Sequence, residues 1–242
     1  MRTGVLLHHF FSSRVVGVLA GLVLVAAAAA QPALPGVSEV AMPPGGSGPV
    51  LILLTGADGA PNHRQQAQAF AGQGWQVLVV DSNRLMAGDP VVGLRELLAN
   101  VAMQQSSEKR AALVGYSLGG WIVLAYGSRM PEFVSSAVAY YPSTFRIGDA
   151  KSFLASPALS VPTLMLAGVK DTYMNCCSIE RARSLAQAAS LPEVRASLQL
   201  VEYPEADHGF VLPAYPQVFR PEDEKDAFRR AVTHLRGNQT PR

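Results

Sequence analysis

Cysteine is almost missing from this sequence: of 242 residues only Cys176 and Cys177 are cysteines, and they are neighbours. Two adjacent thiols cannot build a framework of cross-links, and they lack the spacing of a metal site. Two readings stay open for them, one buried thiol beside one exposed thiol or a ring closed between neighbours. An excess of charge is missing too. The chain carries 20 basic and 18 acidic residues, and Arg2 and Arg14 lie in an N-terminal stretch that contains no Asp or Glu before Glu39. From residue 31 onward the balance is 18 against 18. Such a chain has no basic field to attract nucleic acid or an anionic membrane surface. Internal repeats of fixed period are also absent.

The N-terminal stretch is what first departs from a globular pattern. Arg2, His8, His9 and Arg14 precede a run from Val15 to Ala30 with no charged residue, which ends in five alanines before Gln31-Pro32. A basic start, a short apolar run and a small-residue exit at Ala28-x-Ala30 describe a secretory signal. Sixteen helical residues reach about 24 Å, short of the roughly 30 Å hydrocarbon core, which weighs against a membrane span. Residues 1–30 are therefore expected to be a signal peptide of an exported, periplasmic or secreted protein, with an uncleaved anchor as the alternative. No stable membrane insertion is expected after cleavage.

Residues 31–48 are rich in Pro and Gly and read as a flexible lead-in. From 49 to 237 apolar runs alternate with helical patterns, and 238–242 form a tail. Val50–Leu54, Trp75–Val80, Arg110–Gly115, Val134–Tyr140, Thr163–Ala167 and Leu198–Val201 read as strands. The spacing predicts helices over 60–73, 90–103, 118–129, 178–189 and 223–235. Continuous apolar runs fit strands buried on both faces. The alternation implies an α/β fold, a mostly parallel sheet with helices on both faces, and ligands bound beyond the carboxyl ends of the strands.

Gly115-Tyr116-Ser117-Leu118-Gly119 has the form G-x-S-x-G. Small residues on both sides let a serine sit on a sharp turn between strand and helix, with its hydroxyl exposed. Apolar runs before and after the motif supply that strand and that helix. The amide of Leu118, at the start of the helix, is one expected oxyanion donor. The loop after the first strand supplies the second, with Ala57 as the expected amide beside Gly56. Asp58 reads as a turn residue.

A serine hydroxyl needs a base. His208, in a loop after the last strand, is the first candidate; His63, after the first strand, is the second. His234 reads as a surface or packing residue. The base needs a carboxylate to fix its tautomer. Asp171 follows the strand ending at Ala167-Gly168. Asp207 is too close in sequence to His208 for a good hydrogen bond, and Asp149 lies in a surface excursion. The order Ser117, Asp171, His208 is that of the α/β-hydrolases.

The motif Gly115 to Gly120, Ala167-Gly168 with Asp171, Asp207-His208-Gly209-Phe210 and the closing stretch from Pro213 to Leu235 carry a resemblance. The chain resembles the dienelactone hydrolase family of the α/β-hydrolase superfamily over about residues 48–236. The family's founding members use a cysteine where this chain has Ser117, and carry a glutamate near the first oxyanion loop where it reads Leu54-Thr55-Gly56-Ala57. The resemblance therefore implies a general serine esterase, with a small-molecule ester as substrate and no metal or organic cofactor. It also implies no large cap domain, with 143–160 as the one candidate for a small cap. Arg84 is a candidate for binding a substrate carboxylate, or else a solvated surface residue. Tyr141, Tyr173 and Phe210 are candidate pocket residues. A peptidase or acyltransferase of the same fold, or a non-catalytic binding protein on it, are the alternatives.

Overall fold

The computed structural model describes Met1, Leu34 and residues 36–105, 110–155, 157–194 and 196–239. The expected signal peptide at 1–30 and the last three residues of the tail lie outside the described residues. No described helix is long and apolar enough to cross a membrane.

Seven strands form one sheet: β1 (Val37–Ala41), β2 (Val50–Leu54), β3 (Gln76–Val80), β4 (Ala111–Tyr116), β5 (Val134–Tyr140), β6 (Thr163–Gly168) and β7 (Leu198–Tyr203). Their order across the sheet is β1-β3-β2-β4-β5-β6-β7. β1 pairs antiparallel with β3 and every other neighbouring pair is parallel. β2, β4, β5 and β6 are buried along their whole length. They can be so because helices cover both faces, and side chains alternate between two cores. Leu51 and Leu53 join the core against α1 (Arg64–Gly72) and α7 (Pro221–Gly237), with Phe70, Ala227, Ala231 and Leu235. Ile52 and Leu54 join the opposite core, with Leu97 of α3 (Pro90–Gln104), Ile122 of α4 (Leu118–Ala125) and Leu185 of α6 (Ile179–Ala189).

The structure differs from the expectation at three places. The stretch 31–48 is more than a flexible lead-in, because it holds β1. Val37, Glu39 and Ala41 are half-buried while Ser38 and Val40 are exposed, the alternation of an edge strand covered on one face. Two short helices, α2 (Ser82–Met86) and α5 (Ala150–Ala155), stand where no helix was expected. α2 begins at Asp81, whose side chain accepts from the amide of Asn83 (2.9 Å). The stretch 143–160 is no cap. Ile147, Leu154 and Leu159 are buried in the core beside α6, which is where the chain places its apolar side chains.

One topological feature places the site. The chain runs from β2 outward to β3 and then crosses back past β2 to β4. The connections after β2 and β4 thus leave neighbouring strands, Leu54 opposite Gly115, in opposite directions. That reversal opens a crevice at the carboxyl ends of the strands.

Candidate active site

Ser117 stands in this crevice, between β4 and α4. Its backbone has φ 50° and ψ −107°, a left-handed conformation that a side-chain-bearing residue adopts only when its surroundings enforce it. The enforcement is steric and hydrogen-bonded. Its amide donates to the carbonyl of Tyr140 (3.0 Å), and its carbonyl accepts from Trp121 and Ser143 (3.0 Å each). A Cβ on Gly115 would lie 2.3 Å from the Gly119 carbonyl oxygen, so strand and helix can meet this closely only with glycine there.

The side chains of Ser117, His208 and Asp171 form one chain of hydrogen bonds. His208 Nε2 lies 3.0 Å from Ser117 Oγ, and Nδ1 lies 2.8 Å from Asp171 Oδ2. A carboxylate only accepts, so Nδ1–H donates to Asp171 and Nε2 is left to accept from the serine hydroxyl. The Asp171 side chain is fully buried, and its Oδ1 accepts from the amide of Tyr173 (3.1 Å). The loops carrying acid and base are tied together. Lys170 N–H donates to Ala206 O (3.0 Å) and Val169 N–H to Tyr203 O (2.9 Å). A Cβ on Gly168 would meet Ala206 O at 2.4 Å. Tyr173 stacks on the His208 ring (4.6 Å, 10°) and Tyr141 meets it edge-on (4.8 Å, 67°). These contacts fix the ring's orientation.

Of the expected oxyanion donors, Ala57 lines the same cavity as Ser117, and Leu118 is the first residue of α4. The Ala57 carbonyl accepts from Asn83 Nδ2 (3.1 Å). Thr55 holds this loop against the nucleophile's helix. Its carbonyl accepts from Gly119 N–H (3.0 Å), its amide donates to Val80 O (3.1 Å), and its Oγ1 accepts from Ser82 N–H (3.2 Å).

His63 makes its contacts away from the nucleophile's hydroxyl, with Gly56 and Asp58. It is wholly buried, its Nε2 lying 3.0 Å from the Gly56 amide and 3.1 Å from Asp58 Oδ1. Asp207 turns its carboxylate to the backbone amide of His208 (2.7 Å), not to the ring. Asp149 caps α5 by accepting from Ser152 N–H (2.8 Å). Arg84 is exposed on α2 and does not line the cavity. Phe210 is wholly buried against Tyr141 and Tyr203. Cys176 and Cys177 are joined in a disulfide between neighbours, with sulfurs within 4.8 Å of a His208 ring nitrogen.

The cavity, about 420 Å³, is lined by Ser117, Tyr141, Tyr173, Leu212, Asp58 and Tyr215 among others. Asp58 and Tyr215 carry a signal that sequence reasoning missed. Tyr215 OH donates to Asp58 Oδ2 (2.8 Å), joining residues 157 positions apart. Burial works to raise the Asp58 carboxyl, and the contacts with His63, Tyr215 and Asn62 more than offset it, down to about 2. Burial, then the Asp58 contact, lifts the Tyr215 hydroxyl to about 12. Burial raises that of Tyr141 well above its ordinary value, with the Asp58 charge adding to it.

Residues 83–238 match the model of the dienelactone hydrolase family. The chain belongs to the dienelactone hydrolase family. Solved structures show the same fold. A Klebsiella pneumoniae protein described as a dienelactone hydrolase superposes with a TM-score of 0.66 at 22% identity, over 81% of this chain and 91% of its own. The dienelactone hydrolase of Anabaena variabilis gives 0.61 at 16%, over 83% and 91%. A Thermogutta terrifontis esterase with propionate bound gives 0.58 at 16%, over 87% and 98%. No curated protein matches the sequence. As a member of this family the chain has the α/β-hydrolase fold, and its matched segment contains Ser117, Asp171 and His208.

Proposed function

We propose that this family member is a serine hydrolase that cleaves small carboxylic esters through an acyl-enzyme intermediate. The single observation that carries the reading is the position of His208 Nε2, 3.0 Å from Ser117 Oγ, with its opposite nitrogen 2.8 Å from a buried carboxylate.

In this mechanism Ser117 Oγ attacks the ester carbonyl carbon while its proton passes to His208 Nε2. The carbonyl oxygen becomes an oxyanion, held by the amides of Leu118 and Ala57. Asp171 stabilises the imidazolium and keeps it aimed. The C–O bond to the alcohol breaks as Nε2 returns the proton to the leaving oxygen. Water then attacks the acyl carbon, giving a proton to Nε2; the bond to Ser117 Oγ breaks as Nε2 returns that proton to Oγ, and the acid departs.

Labelling by a neutral fluorophosphonate, followed by hydrolysis of p-nitrophenyl acetate, tests the assignment. The wild type is expected to be labelled at Ser117. Ser117→Ala is expected to lose labelling and to lose turnover by about 10⁶-fold. Wild-type turnover by Ser117→Ala would sink it.

Export is part of the proposal. The basic start, the apolar run and Ala28-x-Ala30 support cleavage after Ala30. N-terminal sequencing of protein from the exported fraction is expected to begin at Gln31; a start at Met1 contradicts cleavage.

A further inference from the structure

The wall of the cavity facing Ser117 is unusual in its charge. Asp58 and Asp207 both line it, and none of the described lysines or arginines does. The nearest cations by sequence are occupied elsewhere: Arg64 pairs with Glu39, Lys170 with Glu205, and Arg220 with Asp223.

The Asp58 carboxylate lies 3.1 Å from His63 Nε2 and accepts from Tyr215 OH (2.8 Å). Asp58 also keeps part of its surface open, its side chain being 20% exposed.

Four tyrosines line the cavity that holds this carboxylate; Tyr116 and Tyr141 are buried, and Tyr173 and Tyr215 keep surface open. Tyr173 is 52% exposed although His208 occupies one of its faces. The Tyr141 hydroxyl is buried in this wall without a hydrogen-bond partner among the described residues, and its backbone has φ 34°. The hydroxyl's hydrogen-bonding capacity is thus unused by the described residues.

Tyrosine faces attract cations through the ring quadrupole, and a carboxylate does so by charge. From these observations we infer that the cavity beside Ser117 recognises esters bearing a cationic ammonium group, seated against Asp58 and the open rings of Tyr173 and Tyr215. Esters bearing a carboxylate are rejected by the same wall. Arg84, on the exposed face of α2, offers such a carboxylate no counter-charge in the cavity. The inference rests on the ester-hydrolase reading and narrows it to a substrate class.

Three acetate esters of matched size test it: acetylcholine, its neutral carbon isostere 3,3-dimethylbutyl acetate, and 4-acetoxybutanoate. With the purified protein, kcat/KM is expected to fall in that order, with the cation ahead of the isostere by about tenfold at low ionic strength. Added salt should shrink that lead. In Asp58→Asn the ratio of cation to isostere is expected within about twofold of one; a ratio taken within one variant is independent of any general loss. A wild-type isostere as good as the cation, or an unchanged ratio in Asp58→Asn, overturns the inference.

A second measurement does not need the variant to fold. Phenyltrimethylammonium is expected to slow fluorophosphonate labelling of wild-type Ser117, and tert-butylbenzene to slow it much less. Equal protection by the two overturns the inference. If the three esters are cleaved without regard to charge, the substrate class falls and ester hydrolysis stands. If none is cleaved and Ser117 is not labelled, both fall.

Discussion

The Leu54 carbonyl oxygen lies 2.2 Å from the point where a Cβ on Gly119 would stand, with the Thr55 oxygen 2.7 Å away. Both obstacles are backbone, fixed by the end of β2, so neither can swing aside. Gly119→Ala is expected to force α4 away from the oxyanion loop and break the Gly119–Thr55 hydrogen bond. A loss of about 1–3 kcal/mol is expected in urea unfolding, together with a fall in ester turnover. Unchanged stability would show that helix and loop are not held this closely.

Asp171→Asn separates orientation from chemistry. With the amide oxygen held by the Tyr173 N–H, the Asn NH2 faces Nδ1 and donates to it, which puts the ring proton on Nε2, and the imidazolium loses its stabilising charge. Turnover of p-nitrophenyl acetate is expected to fall by about 10⁴-fold while Ser117 still takes up a fluorophosphonate slowly. A fall of less than tenfold would remove Asp171 from the role proposed for it.

Acid stability reports on Asp58. Its folded pKa of about 2 lies below the ordinary 3.8. A depressed carboxyl stabilises the folded state above the unfolded pKa, and the contribution is lost as pH falls from about 4 to 2. At 1.36 kcal/mol per unit the contribution is on the order of 2 kcal/mol at neutral pH. Asp58→Asn is expected to be less stable than the wild type by up to that amount at pH 7, with the gap closing below pH 4. Urea unfolding at a series of pH values measures it, and a gap independent of pH contradicts the assignment.

The cysteines can be counted by mass. Since Cys176 and Cys177 are joined, protein denatured without a reductant is expected to take up no iodoacetamide, and two equivalents after reduction by a dithiol. Two equivalents without reduction would show free thiols.

Much of this was legible in the sequence, for physical reasons. β2 and β4 are buried on both faces and so read as unbroken apolar runs, as does β5 apart from Ser135 and Ser136. The turn around Ser117 must have glycine on either side, which writes its geometry into five letters. Ser117, Asp171 and His208 each follow a strand, so order and position pointed to all three before the structure brought them together. β1 escaped notice because an edge strand of five residues buries only half of its side chains, and Pro and Gly crowd it. Asp58 read as a turn residue for another reason. Its partner Tyr215 is 157 positions away, and no local spacing encodes a pair that only the fold creates. Arg84 stood open between a carboxylate ligand and a solvated residue, and α2 holds it in solvent. The state of the cysteine pair was open because adjacency permits a bond without requiring one.

The reversal of crossover direction between β2 and β4 divides labour within this protein. The nucleophile and the oxyanion loop hang from neighbouring strands at the centre of the sheet, whose ladder sets their spacing. The acid and base hang from β6 and β7, also neighbours. The wall holding Leu212, Tyr215 and Val218 belongs to a single connection between β7 and α7. Replacement of the part of that connection that follows His208 and Phe210 is a route by which descendants of this chain can exchange what they accept while leaving the reacting groups where the sheet holds them.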